Sequence, residues 1–273
     1  MPAVEIIAIG NELLLGDVLD TNTHWLCRQF SGRGGRVQRV AIVPDEPGAI
    51  AEALEAARRR RPDLIVLTGG LGPTSDDKTL FSVAQALGRP LELNERALAM
   101  VQATYERLAA HGLVRDAALT EERRKMACLP RGAEPLHNPV GAAPGVLLRE
   151  GETAVVCLPG VPAELKGIFA TSLQPLLSEL FGGRVFLERV LVTDCGDESL
   201  LAPVVNRVAA DHPQVYVKSR AQAYSEGVRL RITLSLSGED VQAVQAAIEA
   251  ADRDLTASLA AVGIVVLERV EGG

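Results

Sequence analysis

Residues 68–77, TGGLGPTSDD, gather the side chains and backbone freedom that phosphate handling requires. Gly69, Gly70 and Gly72 let the chain turn sharply and present bare N–H groups to an anion. Leu71 sits among them, Thr68 precedes them, and Pro73 stiffens the turn. Thr74, Ser75, Asp76 and Asp77 lead into a predicted helix, whose amino-terminal dipole favours negative charge nearby. Two adjacent aspartates would repel a phosphate, so this reading demands a cation. A divalent metal bridging carboxylates and phosphate oxygens resolves the conflict. The competing reading is an ordinary turn in which Thr74-x-x-Asp77 forms a capping box.

A second turn of this kind follows the first apolar run: Gly10-Asn11-Glu12-Leu13-Leu14-Leu15-Gly16, with Asp20, Thr21 and Asn22 just beyond. Glu12 is placed to orient water or a metal, or else Glu12 and Asp20 are helix caps and surface carboxylates. Asp45 and Glu46 close the second apolar run. They complete an acidic cluster, unless Asp45 caps the helix that Pro47 opens. Residues 138–145, NPVGAAPG, form a side-chain-poor loop that could meet a ligand with its backbone at Gly141 and with the Asn138 amide.

The turn LPGVP at 158–162 precedes Glu164 and Lys166, which are expected to be solvated charges at a helix start. His24, His111, His137 and His212 lack metal-ligand spacing, and no nucleophile elbow occurs, so covalent catalysis is not expected. The basic run at 58–61 is expected to close a helix, and the G-x-x-G at 32–35 to be a plain connection.

These turns need a scaffold, and hydrophobic periodicity supplies one. Apolar runs at 4–9, 36–43 and 63–67 alternate with helix-like stretches, including Ile50, Ala53, Leu54 and Ala57 at helical spacing. The order β-α-β-α-β with helical crossovers predicts parallel strands, and ligands then sit at their carboxyl ends. Helices are predicted at 80–87 and around Leu98, Val101, Tyr105 and Leu108. A buried strand at 154–158 and one helix over 162–180 follow.

After Phe181-Gly182-Gly183 the pattern changes. Val228, Leu230, Ile232, Leu234 and Leu236 alternate with Arg229, Arg231, Thr233 and Ser235, a half-exposed antiparallel strand. A strand-helix-strand-strand-helix module is predicted over about 184–267, with Pro203 delaying or kinking its first helix. The fold class is therefore α/β, a three-layer α/β/α mostly parallel sheet, with a smaller α+β domain.

Composition narrows the function classes. A chain of 273 residues with 47% hydrophobic content can bury one large core and a smaller one. Its formal charge of -7, and only 3% aromatic residues, make nucleic acid an improbable partner. Cys27, Cys128, Cys157 and Cys195 form no C-x-x-C pair, which fits reduced thiols and a cytoplasmic setting. No signal or transit peptide fits the amino terminus, and no apolar run reaches membrane-spanning length.

GNELLLGDVLDTN, TGGLGPTSDD, NPVGAAPG and LPGVPAEL, in this order, resemble the amino-terminal domain of the competence/damage-inducible CinA family, related to the molybdopterin-binding MoaB/MogA domain. The resemblance implies a molybdopterin-binding-type domain over 1–175 and a KH-like module over 176–273, the latter including Asp197, Glu198 and Ser199. It implies hydrolysis of the diphosphate bond of ADP-ribose or a related nucleotide with Mg²⁺, Mn²⁺ or Co²⁺, allows K⁺ as a further ion, and implies a homodimer.

By the same resemblance Asp45, Asp76 and Asp77 are metal- or ligand-linked carboxylates, and Glu12 lies in the first ligand loop, where it or Asp45 would activate water. Ala142 replaces the threonine common in the third motif, and Lys78 is an unusual neighbour for the aspartate pair. The nicotinamide mononucleotide deamidase domain of full-length relatives is not expected in this chain. The alternative function is molybdopterin or nucleotide binding, or adenylyl transfer, of the MoaB/MogA type. An RNA-binding role for the KH-like region ranks third, because its G-x-x-G loop is missing.

Overall fold

Two apolar layers decide the first folding unit. The computed structural model describes residues 1–224 and 227–272. Contacts divide the chain into one unit of residues 1–30 and 35–182, and a second of residues 31–34 and 183–273.

The first unit runs β1 (Ala3–Ile9), α1 (Asn11–Leu15), α2 (Thr21–Ser31), β2 (Arg36–Val43), α3 (Pro47–Arg59), β3 (Leu64–Thr68), α4 (Thr79–Ala86), β4 (Leu91–Leu93), α5 (Glu95–Ala110), α6 (Glu121–Lys125), β5 (Cys128–Pro130), β6 (Glu134–Leu136), β7 (Gly145–Glu150), β8 (Thr153–Leu158), α7 (Pro162–Ala170) and α8 (Gln174–Phe181). Its main sheet has the order β2-β1-β3-β8-β7-β6. The first four strands are parallel, while β7 and β6 run antiparallel to their neighbours.

Strand alternation sorts the core into two sides. Ile7, Ile9, Ile65, Leu67, Val155 and Cys157 face one way and pack on Ile50 and Leu54 of α3, Val83 of α4 and Val101 of α5. Val4, Ile6, Leu64, Val66, Val156 and Leu158 face the other and pack on Leu26 and Phe30 of α2, Phe169 of α7 and Leu177 of α8. Both faces are covered, so the central strands are continuously apolar, as buried parallel strands must be. Burial pushes the Cys157 thiol up to about 12, so this cysteine is an inert core residue.

Four expectations change here. The predicted helix over 162–180 is two helices, α7 and α8, separated by Thr171, Ser172 and Leu173. Short strands β4, β5 and β6 and the antiparallel β7 lay outside the periodicity argument, because three to six residues carry too little pattern. The basic run at 58–61 does more than meet a helix dipole: Arg58 pairs with Glu150 at 2.9 Å, and Arg60 grips Glu5. The α3 cap position belongs to Glu46 rather than Asp45.

The second unit contains β9 (Val185–Thr193), α9 (Glu198–Asp211), β10 (Tyr216–Tyr224), β11 (Gly227–Gly238), α10 (Val241–Ala261) and β12 (Val266–Gly272). Its antiparallel sheet has the order β10-β11-β9-β12. Leu191, Leu230, Ile232 and Leu234 pack on Leu201, Val205 and Val208 of α9 and on Ile248, Leu255 and Leu259 of α10. Helix α9 starts at Glu198, with Asp197 accepting the Ser199 N–H, and continues through Pro203. Val228 lies outside the residues whose side chains are described. Among the described residues, no helix is long and apolar enough to cross a membrane.

Glu5 is a buried carboxylate inside β1, only 2% exposed. Arg60 donates two bonds of 2.6 Å to it, and Gln38 of β2 donates a third at 3.1 Å. Removing the guanidinium strands a desolvated charge. Arg60→Ala should lower the unfolding free energy by about 3 kcal/mol in urea titrations, and adding Glu5→Gln should recover part of that loss. A double variant as unstable as the single one would contradict the pairing.

Candidate functional site

The carboxyl ends of β1, β2, β3 and β8 carry turns that are bonded to one another. The Gly69 N–H donates to the Leu158 carbonyl at 3.0 Å, and the Gly10 N–H to the Val43 carbonyl at 3.1 Å. Asn11 and Asp45 bond reciprocally: the Asn11 N–H donates to Asp45 Oδ2 at 2.8 Å, and the Asp45 N–H to Asn11 Oδ1 at 3.4 Å. Asp45 therefore clamps the β1 turn to the β2 turn instead of capping α3. Gly69 has a φ of 104°, and a Cβ there would run into the Ile9 carbonyl oxygen. Only glycine permits that approach.

The turn after β3 is held from behind. Buried Thr79, the first residue of α4, donates its hydroxyl to the Gly69 carbonyl at 2.8 Å and its N–H to the Gly70 carbonyl at 3.2 Å. Asp77 Oδ2 accepts from the Thr74 N–H at 2.9 Å and from its hydroxyl at 2.5 Å. Half of the expected capping box is thus present, but Lys78 occupies the cap position of α4 and the Thr74–Asp77 pair closes a turn of its own. Lys125 of α6 donates its ammonium to the Thr74 carbonyl, a tie that hydrophobic periodicity gave no reason to expect.

This leaves specific groups available. Among the described residues, the N–H groups of Gly70, Leu71 and Gly72 have no hydrogen-bond partner. Asp76 is exposed. The Thr74 side chain, its own amide and the ammonium groups of Lys125 and Lys78 hold its carboxyl below the ordinary carboxylate range. Ser75 is exposed beside it, while Thr68 is buried at the strand end. Pro73 is half-buried between turn and solvent.

Other predicted site residues take defined places. Glu12 is exposed in the first turn of α1, with its carboxylate packed against Gly10. Asp20 Oδ1 accepts the Thr23 N–H at 2.9 Å, so Asp20 caps α2. Asn22 is buried and donates its amide to the Gly160 carbonyl at 2.7 Å, leaving its Oδ1 without a partner. Asp45 spends a carboxylate oxygen on the β1 turn, and Asp77 spends one on Thr74 of its own turn. Among the described residues, no three His, Cys, Asp or Glu side chains stand together as a metal-holding group.

The 138–145 loop contributes from the antiparallel side. Asn138 Oδ1 accepts the N–H groups of Val140 at 3.0 Å and Gly141 at 2.9 Å. Its amide donates to the Ala143 carbonyl at 2.9 Å and to Glu164 Oε2 at 2.7 Å. Glu164, expected to be solvated, is instead half-buried against Gly141, and burial raises its carboxyl despite the Asn138 bond. Lys166 is exposed, as expected, with its ammonium 5.7 Å from the centre of the Trp25 ring, a cation–π contact.

A glycine-bearing turn with open N–H groups at a parallel-sheet edge is the geometry of an anion site. A family model described as "Probable molybdopterin binding domain" matches residues 5–179. The chain belongs to this family. The crystal structure of CinA from Thermoplasma acidophilum, a protein described there as of unknown function, is 34% identical with a TM-score of 0.58, covering 64% of this chain and 98% of that one. A protein of Pyrobaculum arsenaticum is 44% identical over 225 residues, 82% of each chain. One of Aeropyrum pernix is 44% identical over 234 residues, covering 85% of this chain and 84% of its own. The molybdopterin-binding domain thus comprises the three-layer unit, and its open edge is the candidate site.

Two measurements check this geometry. Gly69→Ala in the molybdopterin-binding domain should cost about 3 kcal/mol of stability, read as a lowered melting temperature, because the added methyl meets the Ile9 carbonyl. Glu164 has its folded pKa raised, so its contribution to stability is full at low pH and is lost as pH rises through the raised value. Glu164→Gln, neutral throughout, should gain stability relative to the native chain as pH rises from the ordinary carboxylate range upward. Parallel urea-stability curves for the two proteins across that range would refute the assignment.

Proposed function

We propose that this protein binds a phosphorylated small molecule of the molybdopterin or nucleotide type, with its phosphate on the turn at 69–75. The observation that carries this reading is the set of three consecutive N–H groups, Gly70 to Gly72, without partners in a turn braced on every side. A phosphate oxygen would satisfy them, and such donors in a partly dehydrated turn bind charge without reorganising. The family membership of residues 5–179 supports a molybdopterin-type ligand. Net repulsion from a chain of charge -7 is offset locally by Lys78 and Lys125.

A second reading, hydrolysis of the diphosphate bond of ADP-ribose or a related nucleotide, is favoured by one observation: Asp76 is an exposed carboxylate held ionised directly beside the proposed phosphate site. Mg²⁺, Mn²⁺ or Co²⁺ would then arrive with the diphosphate, ligated mainly by phosphate and water. Glu12 or Asp45 would orient the attacking water. K⁺ binding, a homodimeric assembly and a cytoplasmic setting belong to the same proposal.

Calorimetric titration with pyrophosphate in Mg²⁺ should show saturable binding. Gly72→Ala should weaken it about tenfold, because a methyl there meets the Asp77 carboxylate at 2.6 Å and displaces it. Unchanged binding in that variant would remove the turn from the site. Incubation with ADP-ribose and each metal in turn distinguishes the second reading. Release of AMP, reduced about a hundredfold by Asp76→Asn, supports hydrolysis, and no turnover with any metal eliminates it while leaving binding intact.

A further inference from the structure

Helix α5 turns one face into the core and leaves another outside it. Ala97, Val101 and Thr104 are buried, whereas Arg96, Ala99, Ala103 and Arg107 are exposed. Positions 96, 100, 103 and 107 follow the helical repeat and so form one stripe, about 16.5 Å long at 1.5 Å per residue. Alanine at 99 and 103 keeps the middle of that stripe low, with the half-buried Met100 between them. His137, just past β6, lines the same space, a trough of about 410 Å³. That wall is fixed, because the Ser172 hydroxyl donates to the His137 carbonyl at 2.7 Å.

The trough is apolar in its middle and cationic at its ends. Among the described residues, neither the Arg96 nor the Arg107 guanidinium has a hydrogen-bond or ion-pair partner. No carboxylate lines the trough, although the chain as a whole carries a charge of -7. Thr104 lines it too, is only 6% exposed, and its hydroxyl has no partner among the described residues. A nearly buried hydroxyl beside a cavity calls for an acceptor. Thr104 lies one turn before Arg107, so an anion on that guanidinium meets both donors.

Shape and chemistry together select the occupant. Spread along the stripe, about 410 Å³ is the width of one extended chain, too narrow to seat a helix roughly 10 Å across. An extended peptide would leave backbone N–H and C=O groups over Ala99, Met100 and Ala103, whose side chains offer no donor and no strong acceptor. A methylene chain carries no such cost.

We propose that this trough binds an elongated aliphatic dicarboxylate, with one carboxylate on Arg96, the other on Arg107 and Thr104, and the methylenes over the alanines and Met100. The site shares no lining residue with the turn at 69–75 and does not depend on the phosphate reading.

Three probes test the two charges and the apolar middle in the full chain. Dodecanedioate has both charges and the middle, dodecanoate has one charge and the middle, and butanedioate has both charges without it. By calorimetry dodecanedioate should bind about tenfold more tightly than dodecanoate, and butanedioate should give no measurable binding. Arg96→Ala and Arg107→Ala, at exposed positions where alanine keeps the helix, should each bring dodecanedioate down to the native chain's affinity for dodecanoate. Ala103→Phe should block both long probes by filling the middle. Equal affinities of the two long probes for the native chain, or a dodecanedioate advantage that survives in either arginine variant, overturns the site. So does butanedioate binding as tightly as dodecanedioate, or long-probe binding unmoved by Ala103→Phe.

Discussion

The approach of Gly69 to the Ile9 carbonyl is the constraint on which the candidate site depends. Backbone meets backbone there, with no room for a side chain, so the β3 turn lies directly over the end of β1. Gly160 Cα-side packing completes the contact from β8, since a Cβ on Gly160 would stand 3.4 Å from the Gly69 Cα. Three neighbouring strands are thereby closed by turns in mutual contact. The Asn11–Asp45 pair adds the fourth. A parallel sheet supplies the common edge, and close backbone approach turns that edge into one continuous surface.

Polar side chains on this edge divide between holding and offering. Asp45 ties the β2 turn to the β1 turn, and Asp77, Asn138, Asp20 and Thr79 use their oxygens to fix the turn or helix start they adjoin. What remains presented is mostly backbone, the N–H groups of Gly70 to Gly72, together with the exposed carboxylate of Asp76. The division follows from loop energetics: a connection with few apolar contacts keeps one conformation only if hydrogen bonds fix it. Fixed donors bind charge better than mobile ones, because their ordering has been completed during folding.

The acidic residues show how sequence proximity misleads about chemistry. Asp76 and Asp77 are adjacent and both draw on the Thr74 side chain, yet Asp77 is half-buried with Oδ2 spent on the Thr74 N–H and hydroxyl, while Asp76 stays exposed. Asp45 shares their strand edge but bonds to the β1 turn. Glu164, read from its helix-start position as solvated, is half-buried under Gly141 and the Asn138 amide. Burial of that kind arises from Asn138, 26 residues away in sequence, and its loop coming back over the helix, and no local pattern encodes it.

What the sequence determined by itself is the scaffold and the turns that close its strand edge. Period-two and helical-period hydrophobicity required a mostly parallel, two-sided sheet and a separate antiparallel unit, and glycine spacing placed a sharp turn after β3. Those signals are local, so they survive in one dimension. The motifs also carried the family resemblance, which the match over residues 5–179 supports. Only the tertiary structure decided which carboxylates brace loops and which stay exposed. It alone brought Lys125 to Thr74, Arg60 to Glu5 and Phe81 to the mouth of the turn. Each of those depends on contacts between distant segments, whose partners are chosen by packing rather than by spacing.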